Sequence, residues 1–384
     1  MQHTSYIEIS DSAVENNIAF IREILGDDVI FSSVVKGNAY GHGIETYCPL
    51  AYKHGIRHFS VADANEAYAL TQCFPSNDIT IMIMGMIDDD QIDWAIEKGI
   101  EFYVFNTERL ESTINAARKA GTSAKIHLEL ETGMNRTGIE SKNLARTLSM
   151  VEEDPDLLDI KGICTHLAGA ESIANYKRIT DQQKKFRRLK TQLEKHEWLK
   201  PLYHMASSAA SLRYPKSRYD LARIGILQYG FFPTREIQVQ YQSKKKQYNN
   251  PLIRVVSWKT KVMDVKTIKA GQFVGYGTSY FTNVDTKIAI IPVGYSSGYS
   301  RSLSNRGKVL IKGMRYDVIG TVNMNMMVVE ITTADNIEKG DEVVLIGDQG
   351  EMEMTVSSFS DYSHLINYEL LTRLPRNIPR IITN

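Results

Sequence analysis

Lys36 closes the apolar run VIFSSVV and is followed by Gly-Asn-Ala-Tyr-Gly-His-Gly. A lysine leaving an apolar strand is partly desolvated, which lowers its pKa and frees its lone pair to attack a carbonyl carbon. The glycines behind it allow a ligand close to the backbone, and Tyr40 offers a hydroxyl. Standing alone, such a lysine is usually a surface residue. Later apolar runs end near Glu129 and Arg136, His166, Ser208, and Arg223 with Gly225 and Ile226. Each has an ordinary explanation: Arg136 as a surface arginine, His166 as a satisfied core imidazole, Ser208 as a helix cap. Gathered at one mouth, a lysine, two arginines, a histidine, hydroxyls and backbone amides suit an aromatic, phosphorylated aldehyde cofactor.

The elements that would gather them follow from the alternation of the first ~235 residues. Short β-type runs occur at VIFSSVV, HFSVA, ITIMIMG, EFYVF, KIHLEL, LDIKGICTH, PLYHM and LARIGIL. Helical patterns separate them, among them DANEAYALTQC, NTERLESTINAARKAG and DQQKKFRRLKTQLEKHEWL. Asp63 with Glu66, and Asn106 with Glu108, read as helix starts. Eight strands alternating with helices predict a (β/α)8 TIM-like barrel, whose chemistry lies at the C-terminal strand ends. An open doubly wound sheet is the rival, but no GxGxxG follows an early strand. From about residue 240 the pattern changes. QSKKKQYNN reads as a polar linker or exposed loop, and beyond it short alternating runs predict a mainly-β domain, a barrel or a sandwich. The expected division is 11–238 for the barrel and 239–384 for the β domain, joined by a strand within residues 1–10.

Bulk properties narrow the partners. With 384 residues, 43% hydrophobic and 23% charged, the chain is long enough for two globular domains. Lys+Arg and Asp+Glu both number 45, so no net charge favours nucleic acid or an anionic membrane surface. No apolar run reaches the ~18 residues that a membrane span needs, and the N-terminal MQHTSYIEIS lacks signal-peptide grammar. Cys48, Cys73 and Cys164 are scattered and form no CxxC pair, so neither a disulfide framework nor a metal site is expected. A reducing cytoplasm is the expected compartment.

The segment VVKGNAYGHG resembles the pyridoxal-phosphate lysine motif of the alanine racemase family. ETGMNRTG, THLAG, HMASSAA, RIGILQYG, VGYGTSY, IPVGYSSGYSR, NRGKVLIKG and IGTVNMNM resemble successive motifs of that family, in order, across the whole chain. The resemblance implies that Lys36 holds pyridoxal phosphate covalently and, once released, acts as a base on one face. It implies that Tyr276 acts on the other face and comes from the second chain of a homodimer with shared active sites. Tyr40, Ser208, Gly225 and Ile226 then match phosphate ligands, His166 the contact beside the ring, and Arg223 the partner of the pyridine nitrogen. Arg136 matches the ligand of the phenolic oxygen and of the substrate carboxylate, with Met324 as the other carboxylate contact. His204 and Tyr295 are lesser candidates. The implied reaction interconverts L- and D-alanine. A use in cell-wall synthesis and one in D-amino-acid consumption both stay open.

The sequence departs from the family at several positions. Glu129, seven residues before Arg136, stands where many members carry a carbamylated lysine, and it is expected to orient Arg136 directly. Arg376 replaces a C-terminal tyrosine near the substrate, Asn325 an aspartate after Met324, Ser297 another aspartate, and Ser207 an asparagine. Arg376 leaves open a racemase that prefers serine or another polar substrate. A fold-related decarboxylase and a non-catalytic cofactor carrier are remoter alternatives.

Overall fold

A computed structural model describes residues 4–76, 78–246, 249–334, 336–356 and 367–384. Strand β1 (Ser5–Ser10) opens the chain. The eight apolar runs that follow become β2 (Ile30–Val34), β3 (His58–Val61), β4 (Thr80–Ile83), β5 (Glu101–Val104), β6 (Ala124–Glu129), β7 (Leu158–Cys164), β8 (Leu202–His204) and β9 (Leu221–Ile224). They form one parallel sheet in the order β8-β7-β6-β5-β4-β3-β2-β9. Its ends meet: Ser207 bridges Arg223 in parallel, and the Arg223 and Asp220 amides donate to the Ala206 and Tyr203 carbonyls, each at 3.0 Å. The sheet is therefore a closed barrel, as eight strands separated by helices require. Every residue of β3, β5 and β9 is buried, because helices cover one face and the barrel core fills the other.

The helix starts are local chemistry. Asp63 accepts a hydrogen bond from the Glu66 amide at 3.0 Å, and Asn106 one from the Arg109 amide at 2.9 Å. Each satisfies an amide that has no partner inside the helix. Two helices differ from their sequence patterns. The charged helix runs Tyr176–Leu193, starting ahead of Asp181. The helix Arg235–Lys245 extends through the first part of QSKKKQYNN, where a linker was expected; Gln247 and Tyr248 lie outside the described residues. Its start is capped by Thr234, but Ile237 is its one buried residue, so no apolar periodicity announces it.

The remaining strands are β10 (Val256–Lys261), β11 (Asp264–Ile268), β12 (Thr286–Ile291), β13 (Lys308–Ile311), β14 (Met314–Ile319), β15 (Met327–Glu330), β16 (Glu342–Gln349), β17 (Met352–Met354) and β18 (Arg380–Thr383). With β1 they form a ten-stranded sheet along the path β11-β12-β15-β14-β13-β16-β10-β1-β18, with β17 on β16. Its pairs are antiparallel except β1–β18. Strand β10 alternates buried and half-exposed residues, as a strand with one covered face should. By contact the chain divides into two units. One comprises Ala13–Gly37 and Cys48–Ile253; the other comprises Met1–Ser12, Asn38–Tyr47 and Arg254–Asn384.

Candidate active site

Lys36 follows β2, whose end is fixed from inside the barrel. The Val34 carbonyl accepts from Gln228 Nε2 at 2.9 Å and from the Tyr229 hydroxyl at 3.0 Å, and Ser33 donates to Gln228 Oε1 at 2.7 Å. The strand end is thus immobilised while the lysine itself is not. Among the described residues no hydrogen bond or ion pair holds its Nζ. Lys36 keeps one side open to solvent. Even so, the enclosing protein lowers its pKa, reinforced by Arg136 and Arg223 and opposed by Glu66. Immediately after it, Gly37, Asn38, Ala39, Tyr40 and Gly41 all take positive φ, from 51° to 80°. This is a left-handed turn of a kind that L-residues avoid, at ~1–2 kcal/mol each.

Glu129 ends β6, and the loop behind it carries Arg136. The Glu131 carboxylate takes the Gly133 and Asn135 amides, the latter at 2.9 Å. The Arg178 guanidinium donates to the Gly133 carbonyl at 2.9 Å. Gln182 binds two loops at once: it accepts from the Ala168 amide at 2.8 Å and donates to Thr132 Oγ1 at 3.2 Å and the His166 carbonyl at 2.9 Å. Arg136 itself is exposed. Glu129 is buried, and burial raises its carboxyl pKa against the opposing pull of a Thr137 hydrogen bond, Arg223 and Arg136. Its hydrogen bond therefore goes to Thr137, with both arginines near enough to act through charge.

His166 is half-buried, and its imidazole is driven down to about 3 by burial and by Arg223, Arg136 and Lys36. It is neutral at physiological pH and so adds no charge to a site that already holds three cations. Ser208 is buried at the start of the helix Ser208–Arg213, and its Oγ accepts from the Gly225 amide at 3.0 Å. Ile226 follows directly and starts a short 3-10 turn. Arg223 is buried at the end of β9. Its guanidinium donates to the Thr165 carbonyl at 2.8 Å and to His204 Nδ1. Lys36, Arg136, His166, Ser208, Arg223, Gly225 and Ile226 thus all lie at strand ends or on the loops behind them in the barrel unit.

The remaining candidates belong to the other unit. Tyr40 is buried and packs at 5.9 Å, tilted, against Tyr368; burial pushes its hydroxyl up to about 12. Tyr276 is 74% exposed on a turn between Gly275 and Gly277, both with positive φ. Its carbonyl accepts from Thr321 Oγ1 at 3.3 Å. The Met324 carbonyl accepts from Ser296 Oγ at 2.7 Å, and Asn325 Nδ2 donates to that same Oγ at 3.0 Å. The amide at 325 therefore still supports this turn although the position carries no charge. Tyr295 and Arg376 are exposed, and the Arg376 carbonyl accepts from Arg380 at 3.1 Å.

Several residues escaped sequence reasoning. Gln182, Glu131 and Arg178 lock the loops, and Gln228 and Tyr229 lock the strand before Lys36. They sit in polar helix faces or ordinary turns, which offer no signal of their own. Among the described residues no group of three or more His, Cys, Asp or Glu is arranged to hold a metal ion. No helix there is long and apolar enough to cross a membrane.

Comparison with known proteins agrees with this arrangement. Residues 9–233 match the family model for the alanine racemase N-terminal domain, and residues 255–382 that for its C-terminal domain. The chain is 32% identical over 388 aligned residues to an alanine racemase of Leptospira interrogans, covering 100% of this chain and 96% of that one. The crystal structure of alanine racemase from the D-cycloserine producer Streptomyces lavendulae is similar with a TM-score of 0.90 and 30% identity, covering 100% of this chain and 98% of that one. The alanine racemase of Bartonella henselae, solved with covalently bound pyridoxal phosphate, matches with a TM-score of 0.84 and 27% identity over 100% of both chains.

Proposed function

The chain belongs to the alanine racemase family of isomerases, and from that premise we propose that it interconverts L- and D-alanine using pyridoxal phosphate. The residues present fit such a group. Lys36 is an untethered amine of lowered pKa, suited to hold an aldehyde carbon. The Gly225 amide donates to Ser208 Oγ at 3.0 Å, which leaves the Ser208 proton to donate to a phosphate oxygen, with Gly225, Ile226 and Tyr40 as the further ligands. When bound, the cofactor supplies an electron-withdrawing ring that acidifies the substrate's α-carbon.

The chain's own groups do the rest. Arg136 orients the substrate carboxylate, with the backbone at Met324 as its other contact. His166, neutral, would lie beside the ring. Arg223 would donate to the ring nitrogen without ever yielding its proton, because a guanidinium stays charged. This limits the ring's appetite for electrons and so favours proton return over side reactions. Lys36 Nζ takes or returns the α-proton on one face, and Tyr276 of the partner subunit does so on the other. Two bases on opposite faces are what inversion at carbon requires.

The shared site makes the protein a homodimer. We assign 11–238 to the cofactor-binding barrel and 239–384, with the strand in 1–10, to the β domain. The free thiols of Cys48, Cys73 and Cys164 suit the cytoplasm.

The observation that carries the reading is the fixed strand end presenting an unpaired Lys36 between Arg136 and Arg223. It is tested in deuterated water with added pyridoxal phosphate, following α-proton exchange and chirality together. Rapid exchange with full inversion of L-alanine is expected; no exchange with any amino acid, despite bound cofactor, refutes it. Arg376, where the family carries tyrosine, favours one second reading, a preference for serine. Arg376→Tyr should then shift the alanine-to-serine ratio, and an unchanged ratio ends that reading.

A further inference from the structure

Beneath Arg223 the barrel interior holds a line of polar side chains that the reaction just described does not use. Arg223 donates to His204 Nδ1. His204 Nε2 lies 2.9 Å from His127 Nδ1, and His127 Nε2 lies 2.8 Å from Glu101 Oε2. His58 Nε2 stands 3.8 Å from the same carboxylate oxygen. All are buried, His127 and His204 completely. A carboxylate and an arginine inside a barrel are costly unless every bond is made.

The backbone is shaped to make room for this line. The β6–β7 register shifts between Ile126 and His127: β7 carries one extra residue, Lys161, which sets Gly162 rather than Lys161 opposite His127. Opposite, on β7, sits Gly162. A Cβ there would lie 2.1 Å from His127 Nδ1 and 3.0 Å from His204 Nε2. Two separate irregularities thus accommodate one imidazole pair.

Hydrogen-bond logic fixes where the protons are. A guanidinium only donates, so His204 Nδ1 is bare and its single proton sits on Nε2. That proton points at His127 Nδ1, which must also be bare, and His127 Nε2–H donates to Glu101. The carboxylate only accepts, so every bond runs the same way from Arg223 to Glu101. Burial and the neighbouring Arg223 keep His204 well below its ordinary pKa, and burial likewise lowers His127. Burial pushes the Glu101 carboxyl up, but His127 and His58 more than reverse this and hold it ionised.

We propose that Glu101, His127 and His204 form a positioning relay in which the Glu101 carboxylate sets both imidazole tautomers and thereby presents a bare Nδ1 that holds Arg223 in place. The relay rests on the reading of Arg223 as the partner of the cofactor's ring nitrogen. Without an acceptor at 101, His127 is free to take the Nδ1–H tautomer. His204 must then carry its proton on Nδ1, where it meets the donors of Arg223 head-on. The guanidinium would be displaced, and with it the hydrogen bond to the ring.

The first test needs neither cofactor nor activity. Ring 15N spectra of the cofactor-free protein, assigned with His127→Asn and His204→Asn, should show Nε2–H and a bare Nδ1 at both positions. An imidazolium or an Nδ1–H tautomer at either position overturns the relay. The second test uses the pyridoxal-phosphate holoenzyme. Glu101→Leu should lower kcat by about tenfold or more, leave KM for L-alanine within about twofold, and shift the bound cofactor's absorption. Gly162→Ala, which parts the imidazoles and removes no polar group, should act in the same direction. Glu101→Gln keeps an acceptor and should stay within about threefold of wild type. Equal losses in the Gln and Leu variants, or an unshifted spectrum in Glu101→Leu, overturn the proposal. If the wild type itself fails to racemise, the racemase reading falls, while the 15N spectra still decide the relay.

Discussion

A lysine proposed to serve in turn as tether and as base has to be free of ion pairs, and around Lys36 two arginines outweigh the one carboxylate, Glu66, that acts on it. Arg136 and Arg223 disfavour its charged form, so a neutral amine is easier to reach than for a lysine in water. Glu129 balances these cations from inside the barrel. Its carboxyl is buried, bonded to Thr137 and acted on by both arginines, so its loss leaves Arg136, the expected ligand of the cofactor's phenolic oxygen, without the carboxylate that would orient it. Glu129→Ala should weaken pyridoxal-phosphate binding by about tenfold and lower turnover, as read by fluorescence titration and steady-state kinetics. Unchanged affinity and activity would detach Glu129 from Arg136 altogether. The types of these residues were legible in the sequence, since each stands at the end of an apolar run. Their partners were not. Glu129 was expected to orient Arg136; that Thr137 also bonds its carboxyl was not foreseen, because strand register alone does not reveal which neighbour a loop folds back.

At the scale of elements, the left-handed turn after Lys36 carries the most local strain. It is held where Gly41 meets the C-terminal helix Asn367–Thr372: a Cβ at Gly41 would sit 1.9 Å from the Leu371 carbonyl oxygen, at φ +80°. Arg380 donates to the Gly41 carbonyl at 2.9 Å. Gly41→Ala therefore faces both a backbone clash and an unfavourable φ, and should lower the unfolding free energy by about 2 kcal/mol or more in urea titrations. A loss below about 0.5 kcal/mol would show that the turn adapts. The glycines here were visible in the sequence as an allowance for close approach. The three successive non-glycine residues in left-handed conformation, Asn38, Ala39 and Tyr40, were not, because only distant contacts can enforce them. The eight barrel strands were readable because each is a short apolar run between turn signals. The helix Arg235–Lys245 was not, since a single buried residue leaves no period to detect.

For the whole molecule, four imidazoles set the response to acid. Burial lowers His42 to about 4 and His166 to about 3, and also depresses His127 and His204. Below the ordinary value of 6.5 the unfolded chain takes up these protons and the folded chain does not. Stability is therefore fully present above about pH 6.5 and falls as the pH drops toward 4, by up to about 1.4 kcal/mol per pH unit for each imidazole. Urea midpoints at pH 7 and pH 5 measure this, and equal midpoints would mean that the imidazoles are charged in the folded protein. The shared-site reading has its own test. Lys36→Ala and Tyr276→Phe chains, each inactive, should regain activity when mixed in equal amounts, with about a quarter of all sites intact after random pairing. No recovery would assign both bases to one chain.

Tyr276 leaves 74% of its surface in water on the single chain, and Met324 leaves 55%. A side chain so uncovered gains nothing by keeping one rotamer, and Tyr276, read as the base from the second chain, is of this kind. If a second chain supplies that order, turnover per chain depends on the concentration of the enzyme. Diluting it below its dimer dissociation constant should extinguish turnover without unfolding a single barrel, and restoring the concentration should bring it back.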